Sequence, residues 1–220
     1  MIIGKFIAVV IIAYLLGAIP FASIISRLMG RIDITKHGSG NIGGTNVLRT
    51  LGAKAGILVM ALDLGKAVAA VMLAKVIIGN DVLLVAGFPF NQQAGEVVAA
   101  LMVMIGHNWS VFVKFRGGKG VAAYYGAWFV IWPIAALFGG AILILTALWT
   151  KYMSLGSILG SLGIWCLLAL LTVVYDFPPI YLVYALVAAA LIIYQHRDNI
   201  SRLQTGTELK LGDKSHRLDL

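Results

Sequence analysis

The stretch VAAYYGAWFVIWPIAALFGGAILILTALWTK, residues 121–151, decides the topology of this chain. It is apolar nearly throughout and too long for one comfortable membrane crossing, which takes about 20 residues. Trp132 and Pro133 stand at its middle. Proline donates no backbone N–H and its ring clashes with the preceding turn, so a helix tends to end just before it. The stretch therefore reads as a hairpin of two short helices, which returns the chain at Lys151 to the face it left at Lys119.

The rest of the chain fits a bilayer as its solvent. Of 220 residues, 60% are hydrophobic and 12% charged, against roughly 25% charged in a soluble domain. Mean hydropathy is +0.95. Apolar runs recur from Phe6 to the tail and leave no room for a separate soluble unit, so residues 1–220 read as one membrane-embedded domain. The first run follows Lys5 and ends in IISRLMGR without a small-residue cleavage site, the pattern of a retained span. Cys166 lies in an apolar run, where it packs or faces lipid, and a lone cysteine excludes a disulfide framework.

Charge orients the spans. The formal charge is +8, with the basic residues gathered between apolar runs. Arg27, Arg31, Lys36, Arg49 and Lys54 face the single acid Asp33, and Lys114, Arg116 and Lys119 face none. The positive-inside rule assigns these loops, and the basic tail after Gln195, to the cytoplasm. The turns near Asn80 and Asp176 belong outside. Spans at about 6–25, 55–78 and 94–108, with FPFNQQAGE (88–96) as an outer loop, bring the chain inside. Runs at 153–174 and 178–194 follow, and reaching a cytoplasmic tail requires an even number of crossings after Lys119, which the 121–149 hairpin supplies. The expectation is an all-α polytopic integral membrane protein of seven transmembrane helices, amino terminus outside and carboxy terminus cytoplasmic. A helix from Gly117 to Trp132 covers only about 24 Å, so a five-span alternative stays open.

Polar chemistry is confined to three segments on one face: HGSGNIGGTNVLR (37–49), GHNWSVFVKFRGGKG (106–120) and HRDNISRLQTGTE (196–208). Gly38, Gly40 and Gly43 match G-x-G-x-x-G, but a membrane span precedes them where a dinucleotide fold needs a β-strand. GGKG lacks the first glycine and the hydroxyl residue of a Walker A loop. Neither implies a nucleotide. Glycines such as Gly38, Gly40, Gly117, Gly118 and Gly120 instead let backbone N–H groups converge on an anion, with Arg116 and Lys119 adding charge. Arg49 can grip a phosphate bidentately, and Ser39, Asn41, Thr45 and Asn46 offer neutral hydrogen bonds to a polyol. His196, Asn199 and Arg202 are spaced by three and share a helix face, with Glu208 beyond the Gly206 turn. Asp63 and Lys66, inside the second span, are spaced to neutralise each other, which reads as structural pairing.

Taken together the three segments resemble the acyl-phosphate:glycerol-3-phosphate acyltransferase family, often called the PlsY family. Its motifs look like GSGNxGATNxxR, GHxxPxFxxFKGGKGVAT and HxxNxxRLxxGxE. This chain departs at Gly44 for Ala, Ser110 for Pro, Arg116 for Lys and Ala123 for Thr. The resemblance covers nearly the whole chain and implies seven membrane helices with a cytoplasmic site. It implies roles for Ser39 and Arg49 in the first motif, Lys119 with Gly117 and Gly118 in the second, and His196 with Asn199 in the third, of which Ser39, Lys119, His196 and Asn199 are the expected catalytic set; Glu208 looks structural in the family, and Arg202 is expected to be structural as well.

The implied reaction moves a long acyl chain from acyl phosphate to the sn-1 hydroxyl of glycerol 3-phosphate, giving lysophosphatidic acid and phosphate at a bacterial inner membrane. An enzyme that makes acyl phosphate is the expected functional link. The donor is already an activated anhydride, so alignment and charge stabilisation suffice and no acyl-enzyme is required. No cofactor, metal or nucleic-acid partner is expected: Asp33 is the one acid in the first two basic loops, and residues 37–49 and 106–120 hold none. The His-x-x-x-x-Asp device of soluble-fold glycerolipid acyltransferases is missing, because Ile42, Phe112 and Ser201 follow the first three histidines at that spacing and His216 has no such partner. An anion or phosphate-ester transporter is the alternative, disfavoured by polar motifs on one face only and no clear repeat.

Overall fold

Pro20 interrupts the first candidate span, Ile2–Gly30, without ending it. In the computed structural model, which describes residues 2–213, the run expected as one span at 6–25 is two helices, α1 (Ile2–Ala18) and α2 (Phe21–Gly30). The break frees the Ile19 carbonyl, which accepts a hydrogen bond from Lys66 Nζ at 3.0 Å. His216 lies outside the described residues.

A short helix, α3 (Gly44–Leu51), meets the 26-residue α4 (Ala53–Ile78) at Gly52, whose φ of +88° only glycine adopts readily. The expected outer loop contains a small antiparallel hairpin, β1 (Leu83–Val85) with β2 (Phe88–Phe90), which corrects the all-α reading. Its two-residue turn, Ala86 and Gly87, has φ of +49° and +81°, the left-handed pair that a type I′ turn requires. The Asn91 side chain then accepts from Ala94 N at 3.2 Å and starts α5 (Gln92–Asn108).

The break at Trp132 and Pro133 is where the sequence places it. Helix α6 (Val121–Ile131) ends at an extended Trp132, and Pro133 opens α7 (Pro133–Thr150). The helix expected to begin near Gly117 begins four residues later. Gly120 sits in the left-handed region at φ +77°, so residues 117–120 are not helical. The 11 residues of α6 rise about 16 Å, half of a hydrocarbon core. Helices α8 (Met153–Tyr175), α9 (Pro179–Gln195) and α10 (Arg197–Gln204) complete the chain.

Among the described residues, five helical segments are long and apolar enough to cross a membrane: Ile2–Gly30, Ala53–Ile78, Gln92–Val113, Pro133–Thr150 and Met153–Tyr175. Helices α9 and α10, bent by 59° at His196, pass the same test only as a pair, and α6 is shorter.

Small residues let the helices approach where lipid offers no hydrophobic drive. A Cβ at Gly17 would strike the Val103 backbone, and one at Gly106 the Tyr14 carbonyl, so α1 and α5 touch main chain to main chain. Gly139, Gly156 and Gly160 do the same for α7 and α8. Buried Tyr124 and Trp128 of α6 pack on Tyr184 of α9, with the Trp128 and Tyr184 centroids 5.1 Å apart. Apolar side chains cover the periphery, including Trp149, Val173 and the exposed Cys166, as a lipid-facing surface does.

Chain alternation brings the end of α5, the start of α6, the α7–α8 turn and the end of α9 to one end of the bundle. Three main-chain acceptors fasten this end. Gly118 N donates to His107 O at 3.1 Å, Leu211 N to Lys151 O at 2.6 Å, and Arg49 Nη2 to Leu209 O at 2.9 Å.

Candidate active site

The first polar segment is held by one side chain. Buried Asn46, in the first turn of α3, donates from Nδ2 to the carbonyls of Ile34, His37 and Asn41, at 3.3, 2.9 and 3.0 Å. Its Oδ1 accepts from Ser39 N at 3.0 Å. An amide has two donors and two acceptor lone pairs, so its donors are committed to the loop. Asn46 lines the cavity described below, yet its contacts are those of a loop strut, unlike the substrate hydrogen bonding expected of it. The strut presents Ser39, Asn41 and Thr45 to the cavity.

The second segment is built by close approach. A Cβ at Gly117 would lie 2.7 Å from the Asn108 carbonyl oxygen, and one at Gly118 would fall on the His107 ring and 2.8 Å from Ile42 O. One at Gly120 would lie 2.9 Å from Asn108 Oδ1. These glycines press the loop onto the end of α5, and Lys119 between them reaches the cavity beside the first turn of α6. Gly117 and Gly118 do not line the cavity, and neither do Gly38 and Gly40. Arg116 is exposed and lies away from it, so the structure does not bring this expected phosphate ligand into the site. Lys114 and Phe115, both at positive φ, turn the chain just before it.

Glu208 organises the third segment. Its carboxylate accepts from Asn199 Nδ2 at 2.6 Å, Ser154 Oγ at 2.8 Å and Arg202 Nε at 2.8 Å. Asn199 in turn accepts from Lys119 Nζ through Oδ1. A chain of polar contacts thus runs from Arg202 through Glu208 and Asn199 to Lys119, joining the second and third segments to α8. His196 stands at the α9–α10 bend, where Nδ1 is 2.7 Å from Ile192 O. A carbonyl can only accept, so Nδ1 carries the proton and Nε2 of the neutral ring is left as an acceptor.

Asp63 and Lys66 pair as their spacing predicts, at 2.7 Å, but a third member joins them. His107 Nδ1 lies 3.0 Å from Lys66 Nζ and 3.4 Å from Asp63 Oδ1, and all three are buried. Sequence reasoning passed over His107, though it heads the second polar segment. It also missed Ser154 and Ser157, whose spacing of three at the start of an apolar helix puts both on one face.

These groups meet in a cavity of about 620 Å³. Its polar end holds Ser39, Arg49, Lys119, His196, Asn199 and Arg202, with Glu208 among them. Its other end is apolar, between α6 and α7, lined by Tyr125, Phe129, Leu137, Gly140, Ala141 and Ile144. Leu137 and Ile144 are 63% and 56% exposed, so this arm opens sideways toward lipid.

Electrostatics at the polar end favour bound anions. Burial pushes the Lys119 ammonium down to about 8, with Glu208 opposing and Arg202 and Arg49 assisting. Burial, then the Lys119 charge, pushes His196 down to about 4, so it is neutral at physiological pH. Burial also lowers Arg49 from its usual value. Burial opposes ionisation of Glu208, but hydrogen bonds from Asn199, Ser154 and Arg202 outweigh it and hold the carboxyl below its ordinary range. Arg49 Nε is buried without a hydrogen-bond partner. A buried donor left unpaired is costly, and an anion oxygen entering the cavity would relieve it.

Residues 7–206 match the family model described as glycerol-3-phosphate acyltransferase. The chain belongs to the glycerol-3-phosphate acyltransferase family. Among similar members, glycerol-3-phosphate acyltransferase 3 of Dehalococcoides mccartyi strain ATCC BAA-2266 is 48% identical over 98% of this chain and 100% of its own. Glycerol-3-phosphate acyltransferase of Thermoanaerobacter pseudethanolicus is 43% identical over 93% and 95%. The crystal structure of PlsY (YgiH), an integral membrane glycerol 3-phosphate acyltransferase in its glycerol 3-phosphate form, superimposes with a TM-score of 0.80 at 38% identity, covering 94% of this chain and 96% of that one. Its lysophosphatidic acid form gives 0.78 at 36% identity. Membership in this acyltransferase family places the protein in phospholipid biosynthesis.

Proposed function

We propose that this protein transfers a long-chain acyl group from acyl phosphate to the sn-1 hydroxyl of glycerol 3-phosphate, releasing lysophosphatidic acid and inorganic phosphate. One observation carries the reading: a cation-rich polar pocket runs directly into an apolar arm that opens toward lipid. A polar acceptor and a greasy donor can meet there and nowhere else in the described cavities. The relatives and the solved neighbours carry the acceptor in their names. The family match gives the transporter alternative no support.

The chemistry needs alignment more than activation. The glycerol hydroxyl attacks the acyl carbonyl, the ester C–O bond forms, the anhydride C–O bond breaks, and phosphate leaves. Arg49, Lys119 and Arg202 outnumber Glu208 at the polar end and stabilise the charge that develops on the leaving phosphate. Ser39 and Asn41 offer hydrogen bonds to the polyol. His196 Nε2 accepts a hydrogen bond from the attacking hydroxyl and orients it. A ring held near 4 is a weak base, so the proton passes to an oxygen of the leaving phosphate. Cys166 is remote, on the lipid-facing side of α8, and no acyl-enzyme forms.

Purified protein given glycerol 3-phosphate with acyl phosphate, acyl-CoA or acyl carrier protein tests this. Lysophosphatidic acid and phosphate are expected from acyl phosphate alone. Equal use of a thioester, or an isolable acylated side chain, would defeat the assignment. The expected supply is an enzyme that converts an acyl thioester and phosphate to acyl phosphate.

The protein is one membrane-embedded domain of seven spans, its amino terminus outside and its site on the cytoplasmic face of a bacterial inner membrane. Support comes from the basic loops at the site end and from the break at Pro133, which makes α6 and α7 a return pair. With Cys166 replaced by Ser, Lys36→Cys should resist an impermeant thiol reagent on intact cells and Asp81→Cys should react. The reverse pattern would invert the topology.

A further inference from the structure

We infer that Gly140 is a specificity-determining residue for acyl-chain length: its missing side chain is the clearance through which a long acyl chain passes along the apolar arm. This rests on the acyl-transfer reading above.

Most glycines of α7 and α8 are closed off by their neighbours. A Cβ at Gly139 would lie 2.8 Å from Gly160 O, and one at Gly156 2.5 Å from Leu143 O. Gly140 differs. A Cβ there meets only the edge of the Tyr125 ring, at 4.0 Å, and the residue lines the cavity. Helix packing therefore does not explain this glycine. A larger side chain at 140 would project into the space the cavity uses, opposite Tyr125, while leaving the α7–α8 contact through Gly139 and Gly160 untouched.

Its depth can be read from α8. Ser154 belongs to the polar end through Glu208, and Gly160 lies level with Gly139 across the helix pair. Six residues separate Ser154 from Gly160, about 9 Å along a helix. With C–C bonds near 1.5 Å and tetrahedral angles, an extended alkyl chain advances about 1.25 Å per carbon. Roughly seven carbons thus lie between the reacting carbonyl and the level of Gly140. Longer chains continue past it toward Leu137 and Phe129, which line the arm beyond.

The test compares acyl phosphates of 8 and about 16 carbons on purified wild type, Gly140→Leu and the smaller obstruction Gly140→Val. Gly140→Leu should lower relative kcat/KM for the longer donor against the shorter by about 50-fold. Gly140→Val should shift it less in the same direction. KM for glycerol 3-phosphate, measured with the short donor, should stay at the wild-type value, because no polar group of the site is altered. A length profile in both variants that superimposes on wild type, or an equal loss with both donors, overturns the inference and leaves the acyl-transfer reading standing. Wild-type protein that makes no lysophosphatidic acid from either donor defeats that reading and the inference with it.

Discussion

Lys119→Met is expected to lower kcat/KM for glycerol 3-phosphate by about three orders of magnitude, while the protein still folds. Methionine keeps much of the length and packing of the lysine stem and removes only the ammonium. That group sits between the glycine loop and Asn199, at the polar end of the cavity. In the proposed reaction transition-state charge builds on the leaving phosphate, where a desolvated cation is worth far more than in water. The same burial brings Lys119 down to about 8. Below that pH the amine is charged and active, and above it the amine is neutral and the contribution is lost. Wild-type kcat/KM should therefore fall on an alkaline limb near pH 8. The limb in kcat should lie higher, since a bound phosphate favours the charged form. Lys119→Arg should move the limb beyond the measured range, because guanidinium does not lose its proton there. Steady-state rates against pH on folded variants settle this, and wild-type turnover in Lys119→Met would remove the assigned role.

His196→Ala should cost about two orders of magnitude in kcat, the scale of a lost alignment of the reacting hydroxyl. The neutral ring is fixed by its Nδ1 contact to Ile192 O, which leaves Nε2 for the attacking hydroxyl of the proposed reaction. Because burial and the Lys119 charge hold His196 down to about 4 in the free site, it is uncharged there above about pH 5 and should produce no acid limb in kcat/KM between about pH 5 and 7. A clear limb in that range, abolished in His196→Ala, would make the histidine a titrating base and displace the substrate phosphate as proton acceptor. A preserved rate with an unchanged pH profile would confine the residue to structure.

The Trp132–Pro133 break was legible because proline acts through local sterics alone, and the pairing of Asp63 with Lys66 because one helical turn joins them. Pro20 carries the same local signal, but a long apolar run masked it. The β-hairpin was hidden by a turn without the usual Asn-Gly pair, since Ala86 takes the first left-handed position. Arg116 and Lys119 are alike in a sequence reading, and only the folded loop separates an exposed guanidinium from an ammonium in the cavity. Asn46 reads as a ligand until the carbonyls it satisfies are seen.

By itself the sequence determined the solvent, the polar segments and the family, because hydropathy, charge placement and motif spacing are properties of the chain in one dimension. The tertiary structure alone decided that His107 completes the Asp63 and Lys66 pair, that Glu208 reaches Lys119 through Asn199, and that Gly140 stands open in an apolar arm. These depend on which helix faces meet across tens of residues. No local propensity encodes that, because packing between distant segments fixes it.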